Sequence, residues 1–430
     1  MLATLALTAL ALPGSKLSAL TELESATAQL ERITGLNKAD DRIRGRRVIP
    51  DWGFVEGSDF SVLMDVGSKG EVVDSDVAKG KVICDKDASG KNCKRVAAGV
   101  AGIVYLGQAR VRLHDVALFS RTITDTDFTG PAVIKESMPC MMANGDEKPD
   151  EATQEQAILR HLQKNRDEEG GANLMNVYGF FTMKPTGEPK DAWACDIVAE
   201  KVPYPIIWEK KWHPAAVGEF IRQALLGLGF MHRHHVAHLD LKPENIMSMR
   251  DTGKFFDAWQ LRLAEGDIKL IDTGGGVEDR KKVHLFEGEF TYETNQFSPL
   301  YFPPELKEAA AGKKDDEGEL IKFEIKPYKA DVWSMGIVAV ALLCGEEGYD
   351  DDALWDDRLR GIMSKWGSKM AITSQDTVAA FVHTVFPFTA TDEWRTPSYK
   401  KARDFVNAAL KYNPDERPTV AELLKMEFVA

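Results

Sequence analysis

Asp272 ends an apolar run in the segment IKLIDTGGGV and is followed by threonine and glycine. A carboxylate at the end of a short buried strand can serve two kinds of chemistry. Together with a second carboxylate, it can share a proton and activate water. Together with other oxygen ligands, it can hold a divalent cation beside phosphate groups. The other residues capable of chemistry must decide between hydrolysis and phosphoryl transfer.

The hydrolytic alternative requires two carboxylates that share one proton, as in the aspartic proteases. A second Asp-Thr-Gly begins at Asp251, but it follows Ser-Met-Arg and precedes Lys254. Those neighbours predict a polar hairpin turn rather than the end of a buried strand. Asp251 and Asp272 are also too close in the sequence for each to lie in a lobe of its own. The sequence therefore favours phosphoryl transfer.

The segment HLDLKPENIM, residues 238–247, resembles the catalytic loop of the eukaryotic protein-kinase family. The resemblance implies that Asp240 orients a substrate hydroxyl and accepts its proton, while Lys242 neutralises the transferring phosphate. It also implies that Asn245 and Asp272 hold magnesium ions between the phosphate oxygens. The implied cofactors are ATP and Mg²⁺, with Mn²⁺ as an alternative metal.

The segment PAVIKE, residues 131–136, resembles the family's strand that carries the ATP-binding lysine, which is Lys135 here. The resemblance implies that this lysine binds the α- and β-phosphates. A helix should follow with a glutamate that pairs with it. Glu155 is at the expected distance before an apolar pair, and Glu151 is the alternative.

The segment AAGVAGIV, residues 97–104, resembles the family's glycine-rich loop. Gly99 and Gly102 match its second and third glycines, and Val104 would cover the adenine. Ala97 stands where the first glycine is usual. The change does not remove the backbone amides that cradle phosphate, although it is expected to stiffen the loop.

The strand CDIVAEKV, residues 195–202, resembles the hinge of the family. The resemblance implies that Glu200 to Val202 hydrogen-bond the adenine through backbone groups. Ala199 then takes the gatekeeper position, where many relatives have a bulkier side chain.

Three further residues match positions that stabilise the fold in members of the family rather than take part in the chemistry. Glu305 lies in SPLYFPPE and is expected to pair with Arg417 in NPDERPT. Asp331 begins DVWSMG, in a helix whose aspartate ties down the backbone of the catalytic loop. All of these motifs occur once and in the family's order.

Two substitutions near the catalytic residues depart from the family. Leu239 replaces the arginine that receives an activation-loop phosphate, so activity should depend less on phosphorylation. Thr273 replaces the phenylalanine whose packing determines whether members of the family adopt the active or the inactive conformation. With Ala97, these changes support a second hypothesis, a catalytically impaired scaffold or an allosteric nucleotide-binding regulator. Lys242 and Ser298 match the serine/threonine branch, so protein Ser/Thr hydroxyls are the favoured substrates.

Strand patterns precede helix patterns along the chain, which indicates an α+β fold. The resemblance implies a bilobal fold with a small β-rich N-lobe, one regulatory helix in that lobe, and a larger helical C-lobe. Helices are predicted over 20–37, 216–234 and 330–345, the last of them buried, and an enlarged hairpin over 248–267. The predicted regions are an N-terminal apolar segment and helical extension at 1–45, an N-lobe with extra strands at 46–200, and a C-lobe at 201–430, with the kinase-like region at about 96–428.

The formal net charge of the 430 residues is −13, and no run of lysine and arginine suggests a basic patch. An acidic protein repels nucleic-acid phosphates, so the expected partner is a protein substrate rather than a nucleic acid. No stretch of about 20 apolar residues indicates a membrane-spanning helix. The N-terminal apolar run has the length of a secretory signal, with a possible signal at 1–11 and a candidate cleavage site at Ala9-Leu10-Ala11, but no Lys or Arg precedes it. Cytoplasmic, secreted and organellar locations therefore stay open, as does the oligomeric state.

Five cysteines are too few for a dense disulfide framework, and no Cys-x-x-Cys pair suggests zinc. Cys84 and Cys93 flank a turn-rich segment and are able to pair across it in an oxidising compartment. Two free thiols are the favoured expectation.

Overall fold

The structure is a computed structural model that describes residues 59–66, 69–72, 78–90, 93–99, 102–113, 116–118, 121–123, 126–137, 154–163, 165–183, 194–207, 210–255, 258, 261–273, 277–278, 301–305, 326–345, 374–385 and 396–430. The chain divides into two compact units, residues 1–166 with 175–203 and residues 167–174 with 204–430. The helix predicted over 20–37 and the candidate signal lie outside the described residues. The domain boundaries derived from the sequence stay predictions.

The first unit contains short segments rich in Val and Ile, and these form strands because branched side chains pack well on a pleated surface. Its described elements, in chain order, are β1 (Asp59–Val66), β2 (Lys69–Val72), β3 (Ala78–Cys84), β4 (Arg95–Gly99), β5 (Gly102–Leu113), β6 (Val116–Leu118), β7 (Arg121–Ile123), β8 (Thr126–Ser137), α1 (Gln154–Gln163), β9 (Val177–Met183) and β10 (Ala194–Glu200).

Six of these strands close into an antiparallel barrel in the order β1-β3-β5-β8-β10-β9, because β9 pairs back with β1. In the closing ladder Ser61 is opposite Phe180 and Val62 is opposite Gly179. Strand β2 extends the sheet from β1, and β4 pairs with the first half of β5. Strands β1 and β3 therefore cover edges of β9 and β5 that would otherwise present unpaired backbone groups.

The two faces of this sheet differ in what they bury, because successive side chains on a strand point to opposite sides. One face packs against α1 through a cluster that includes Leu159, Phe180 and Ile197. The other face carries Ile134 and Val198, which lie opposite each other on β8 and β10 and are fully buried. Lys135 belongs to the first face and its neighbours in the chain to the second.

Two carboxylates lie on the second face. Glu136 of β8 is directly opposite Asp196 of β10, and these residues are 1% and 0% exposed. In the described part of the chain, no donor hydrogen-bonds either carboxylate oxygen of Asp196. Burial raises the pKa of Asp196 well above its usual value, and the charge of Glu136 raises it further. Asp196 should therefore keep its proton at pH values where an exposed aspartate has lost it.

Cys84 and Cys93 form a disulfide, so the favoured expectation of two free thiols is wrong. A hydrogen bond from the backbone N–H of Lys94 to the carbonyl of Asp85 closes the neck of the turn between them. The two Cα atoms lie 5.4 Å apart, a separation that a disulfide spans without backbone movement. The bond links the end of β3 to the residues that lead into β4, the strand that carries Gly99.

The second unit is mainly helical. Its described elements are a 3₁₀ turn (Gly171–Asn173), β11 (Tyr204–Pro205), α2 (Pro214–Arg233), β12 (Val236–Ala237), a 3₁₀ turn (Pro243–Asn245), β13 (Ile246–Ser248), a 3₁₀ turn (Thr252–Lys254), β14 (Ile268–Leu270), β15 (Val277–Glu278), α3 (Pro327–Cys344), α4 (Gln375–Val385), α5 (Pro397–Ala409), a 3₁₀ turn (Pro414–Glu416) and α6 (Val420–Leu423).

Helices α2 and α3 form the core of this unit and confirm the two helices predicted for it. Helix α2 begins at Pro214, where Nδ1 of His213 accepts a hydrogen bond from the N–H of Ala215 at 3.2 Å. Helix α3 is buried along most of its length, as its apolar sequence predicts. Among the described helices it alone is long and apolar enough to cross a membrane, but its buried side chains identify it as a core helix.

The predicted hairpin between Asn245 and Asp272 is formed by β13 and β14. Its connecting segment is fixed to α2, because Leu263 donates its N–H to Glu219 Oε1 at 3.1 Å and accepts from Gln223 Nε2 at 3.4 Å. Asp251 caps a 3₁₀ turn there by accepting from the N–H of Gly253 at 3.0 Å. The earlier Asp-Thr-Gly is therefore a polar turn, as predicted.

The buried carboxyl of Asp196 predicts a pH-dependent stability. Because its pKa is raised on folding, the folded chain binds more protons than the unfolded chain in the window just above pH 4. The free energy of unfolding should therefore fall as pH rises through that window, by up to about 1.4 kcal/mol per pH unit. Asp196→Asn should remove this slope and stabilise the protein at pH 8 in urea unfolding, while Asp376→Asn, at an exposed position, should leave the slope unchanged. Parallel pH profiles for wild type and Asp196→Asn would contradict the assignment.

Candidate active site

The segment from His238 to Asn245 connects β12 to β13, and its residues His238, Asp240 and Asn245 are buried. Asp240 and Asn245 are 5% and 4% exposed. Leu239 has a φ of 59°, which is unfavourable for a leucine because its Cβ crowds the following carbonyl oxygen. Such a conformation persists only where the surrounding structure holds the backbone in place.

Asp331 at the start of α3 holds this backbone. One carboxylate oxygen accepts from the N–H of His238 at 2.9 Å, and the other accepts from the N–H of Leu239 at 2.8 Å. His232, in the last turn of α2, brings Nε2 to 2.9 Å from the first of these oxygens. The Asp331 side chain is completely buried, and a buried carboxylate requires hydrogen bonds to offset its lost hydration. This contact is the one that the sequence predicts for Asp331.

The residue before Asp272 is held by the same loop. Ile271 donates its N–H to the carbonyl of Asn245 at 3.0 Å, and its carbonyl oxygen lies 3.0 Å from Nε2 of His238. A carbonyl only accepts, so Nε2 of His238 carries a proton. Both backbone groups of Ile271 are thus engaged, and Asp272 follows with a φ of 59°. The loop therefore fixes the point from which the Asp272 carboxylate projects.

Asp240 lies at the centre of a compact polar cluster. Asn245 Nδ2 donates to the backbone oxygen of Asp240 at 2.8 Å and to its carboxylate at 2.9 Å. Lys242 Nζ is 3.0 Å from the same carboxylate oxygen. The structure thus brings together three of the four residues that the sequence assigns to phosphoryl transfer and to the metal, and holds Asp272 beside them through Ile271.

The electrostatics of this cluster follow from its burial. Burial raises the pKa of Asp240, while the charge of Lys242 counteracts that effect and the charge of Asp272 adds to it. Burial lowers the pKa of Lys242, but the carboxylates of Asp240, Glu244 and Asp272 together outweigh that effect, so the pKa of Lys242 is raised. Lys242 therefore remains a cation next to the position expected for the transferring phosphate.

The oxygen ligands expected for magnesium fit the chemistry of that ion. Because both hydrogens of Asn245 Nδ2 are directed at Asp240, the amide has a fixed orientation, and its Oδ1 is left as an oxygen donor. With the carboxylate of Asp272 this makes two hard oxygen ligands, a set typical of magnesium sites that complete their shell with water and phosphate. No group of three or more His, Cys, Asp or Glu that would hold a metal without phosphate occurs among the described residues.

The first unit carries the ion pair that the sequence predicts. Lys135 Nζ on β8 is 2.8 Å and 2.9 Å from the two carboxylate oxygens of Glu155 on α1. The side chains are 15% and 10% exposed, so water screens the pair only in part. Val104 lies directly opposite Lys135 on the adjacent strand β5. Glu151, the alternative partner, lies outside the described residues.

Gly99 and Gly102 face each other at the ends of β4 and β5 and bracket a two-residue connection. In the hinge segment, Glu200 and Lys201 donate their backbone N–H groups to the carbonyls of Asn176 and Pro131. The N–H of Val202 has no acceptor in the described part of the chain, so it is the hinge donor left for a ligand.

The side chains of Ala199 and Glu200 contact other residues of the first unit. Ala199 is packed into the cluster beside α1, with Leu159 and Val177 among its neighbours. Glu200 accepts from the N–H of Asn176 at 2.6 Å through its carboxylate. Any contact of Glu200 with adenine would therefore use its backbone, as the resemblance implies. The gatekeeper role of Ala199 stays a prediction.

Glu305 and Arg417 form the predicted ion pair, with N–O distances of 2.6 Å and 2.8 Å. Arg417 is 1% exposed and also donates to the backbone carbonyls of Lys329, Lys411 and Tyr412. All five of its N–H groups are therefore satisfied. The pair stabilises the fold of the second unit and is not part of the polar cluster around Asp240.

Two features of the site were not predicted from the sequence. His232 gives Asp331 a third hydrogen bond, but nothing in its local sequence distinguishes it from the other histidines of MHRHHVAH. Thr273 is 4% exposed, and its hydroxyl has no partner in the described residues. A buried hydroxyl without a partner among the described residues is unfavourable for stability.

Comparison with known proteins gives one family and a set of distant relatives. The family model for the protein kinase domain matches residues 140–429. The match begins after Lys135, so the glycine-rich segment and its lysine lie outside it.

The relatives are kinases of low sequence identity. The chain is 23% identical over 51% of its length to the calcium/calmodulin-dependent protein kinase cmkB of Emericella nidulans, 41% of which is covered. It is 24% identical over 60% of its length to human myosin light chain kinase 3, 24% of which is covered. It is 27% identical over 47% of its length to mouse MAP kinase-activated protein kinase 5, 36% of which is covered. The chain thus spans less than half the length of these relatives.

Because both carboxylate oxygens of Asp331 accept backbone hydrogen bonds, replacing one of them should destabilise the loop from His238 to Asn245. In Asp331→Asn, an NH₂ group replaces one oxygen and faces a backbone N–H that it cannot bond. The free energy of unfolding should fall by about 1–3 kcal/mol, and the amides of His238 and Leu239 should exchange hydrogen faster. Asp404→Asn, on the exposed side of α5, should change stability by less than about 0.5 kcal/mol. Equal effects of the two substitutions would show that Asp331 does not hold the loop.

Proposed function

We propose a function from the premise that this chain belongs to the protein kinase family, whose domain model matches residues 140–429. The chain transfers the γ-phosphate of ATP to serine and threonine hydroxyls of protein substrates. The observation that carries this proposal is the hydrogen-bonded cluster of Asp240, Lys242 and Asn245, fixed beside Asp272.

Each residue of the cluster has one task in this proposal. Asp240 accepts the hydrogen bond of the substrate hydroxyl, orients it toward the phosphate and takes its proton. Lys242 remains charged beside Asp240 and neutralises the phosphate as it is transferred. Asn245 and Asp272 hold Mg²⁺ through oxygen atoms, and the metal supplies charge neutralisation for the phosphates.

The residues of the first unit bind the nucleotide. Lys135 binds the α- and β-phosphates, and Glu155 keeps its ammonium group in place through the observed ion pair. Gly99 and Gly102 cradle phosphate through the backbone, and Val104 covers the adenine. The N–H of Val202, which has no acceptor among the described residues, donates to an adenine nitrogen. These roles come from the family resemblance, and the geometry of each residue within its own unit supports them.

The protein substrate and the amino acid specificity rest on different observations. Several relatives are named as kinases of a protein, among them human myosin light chain kinase 3 and mouse death-associated protein kinase 2, which supports a protein substrate. Lys242 in LKPEN and Ser298 before Pro299 support serine and threonine as acceptors. Because Leu239 replaces the phosphate-binding arginine of the family, we propose that activity does not require phosphorylation of the activation loop.

One assay tests this function, using purified full-length protein, Mg²⁺-ATP and a generic basic protein as the acceptor. Asp240→Asn should lower turnover by about 100-fold or more, because it removes the proton acceptor, and Lys135→Met should also abolish most transfer. The matched controls are Asp251→Asn and Lys254→Met, both in an exposed turn, and they should retain wild-type turnover. Phosphoamino-acid analysis should show phosphoserine and phosphothreonine.

The alternative function predicts a different result in the same assay. A kinase-fold scaffold or nucleotide-binding regulator would bind ATP without transferring phosphate in the wild type. Transfer that survives both Asp240→Asn and Lys135→Met would also contradict the proposal, since it would come from a contaminating enzyme.

A further inference from the structure

A groove of about 530 Å³ lies on the second unit, between the end of α2, the start of α3 and helix α6. Its apolar lining is formed by Pro327, Tyr328, Val420 and Leu424, together with small residues. This volume is within the range of roughly 300–1,000 Å³ that is usual for small-molecule sites. None of the residues proposed to act in phosphoryl transfer lines the groove.

The charged residues that line the groove are all basic. They are Arg233, Lys326 and Lys329, and no aspartate or glutamate is among the described lining residues. Arg233 and Lys329 donate to backbone carbonyl oxygens and form no ion pair with a described carboxylate, whereas Lys326 pairs with Asp415. Asp415 offsets the charge of Lys326, and the exposed Glu422 interacts electrostatically with Lys329, so three cations face two carboxylates and a net positive charge remains. In a chain with a net charge of −13, this local excess of positive charge favours an anionic ligand.

The groove is connected to the catalytic loop by two side chains. The ring of Tyr328 lies 4.6 Å from the ring of His232, centroid to centroid. His232 hydrogen-bonds Asp331 at 2.9 Å, and Asp331 accepts the N–H of Leu239, the residue before Asp240. A ligand that contacts Tyr328 and His232 therefore acts on the hydrogen bond between His232 and Asp331. Asp331 in turn holds the strained backbone of Leu239.

We propose that this groove binds a long-chain carboxylate and that its occupancy changes the stability of the loop from His238 to Asp240. The alkyl chain contacts the apolar lining, and the carboxylate lies among the three basic side chains. A small amphiphile fits the groove better than a protein surface, because a stable protein interface needs about 800 Å² from each partner. Binding does not depend on the proposed kinase function, whereas an effect on turnover does.

Calorimetry with full-length protein tests the binding, with sodium dodecanoate below its micelle concentration as the probe. One dodecanoate should bind per chain, and dodecanol and dodecyltrimethylammonium should bind at least tenfold more weakly. Ala421→Trp, at an exposed position of α6, should fill the groove and weaken dodecanoate binding at least tenfold. Lys326→Gln with Lys329→Gln should do the same, while Lys400→Gln with Lys401→Gln, an exposed lysine pair on α5 outside this groove, should leave the affinity unchanged.

Hydrogen exchange tests the coupling without any activity measurement. Dodecanoate should change the exchange of the His238 and Leu239 amides in the wild type and leave them unaffected in Ala421→Trp. Equal binding of the anionic, neutral and cationic probes, or undiminished binding to Ala421→Trp, would overturn the site. Displacement of dodecanoate by a tighter-binding acidic peptide would overturn the choice of ligand, and unchanged amide exchange would overturn the coupling.

Discussion

The buried carboxylate of Asp331 is the interaction on which the candidate active site depends. It accepts hydrogen bonds from two consecutive backbone amides and from His232, and it has no contact with water. These bonds hold Leu239 in a left-handed conformation that leucine alone would not favour. The loop then places Asp240 and Asn245, and through Ile271 it also fixes Asp272. One charge buried in a helical core thus determines where the oxygen groups proposed for catalysis and metal binding project.

The first unit holds the cationic side chain of Lys135 on a sheet that closes on itself, so that its central strands have no unpaired edges. Lys135 lies on β8 in the middle of a closed barrel and pairs with Glu155 on the helix that packs outside it. Strands β1 and β3 complete the barrel, although they lie outside the region that the kinase domain model matches. Strands β1 and β3 are therefore a structural part of the first unit rather than an appended tail.

Features that depend on local pattern could be predicted from the sequence. The apolar helices α2 and α3, the turn at Asp251 and the pairings of Lys135 and Arg417 follow from periodicity or from ordered motifs. Features that depend on contacts between segments without such a motif could not be predicted. The β1–β9 ladder joins strands more than a hundred residues apart, and no periodicity reveals it. The disulfide depends on a backbone hydrogen bond that closes the turn between its cysteines.

The assignment of Asp272 to a metal rather than to a hydrolytic pair can be measured through the effect of Mg²⁺ on ATP affinity. Calorimetric titrations of ATP with and without Mg²⁺ should show that the metal strengthens binding to the wild type and to Asp251→Asn. In Asp272→Asn the metal-dependent gain should disappear, while the affinity without metal should be retained. A gain of undiminished size in Asp272→Asn would contradict the proposed role of this carboxylate.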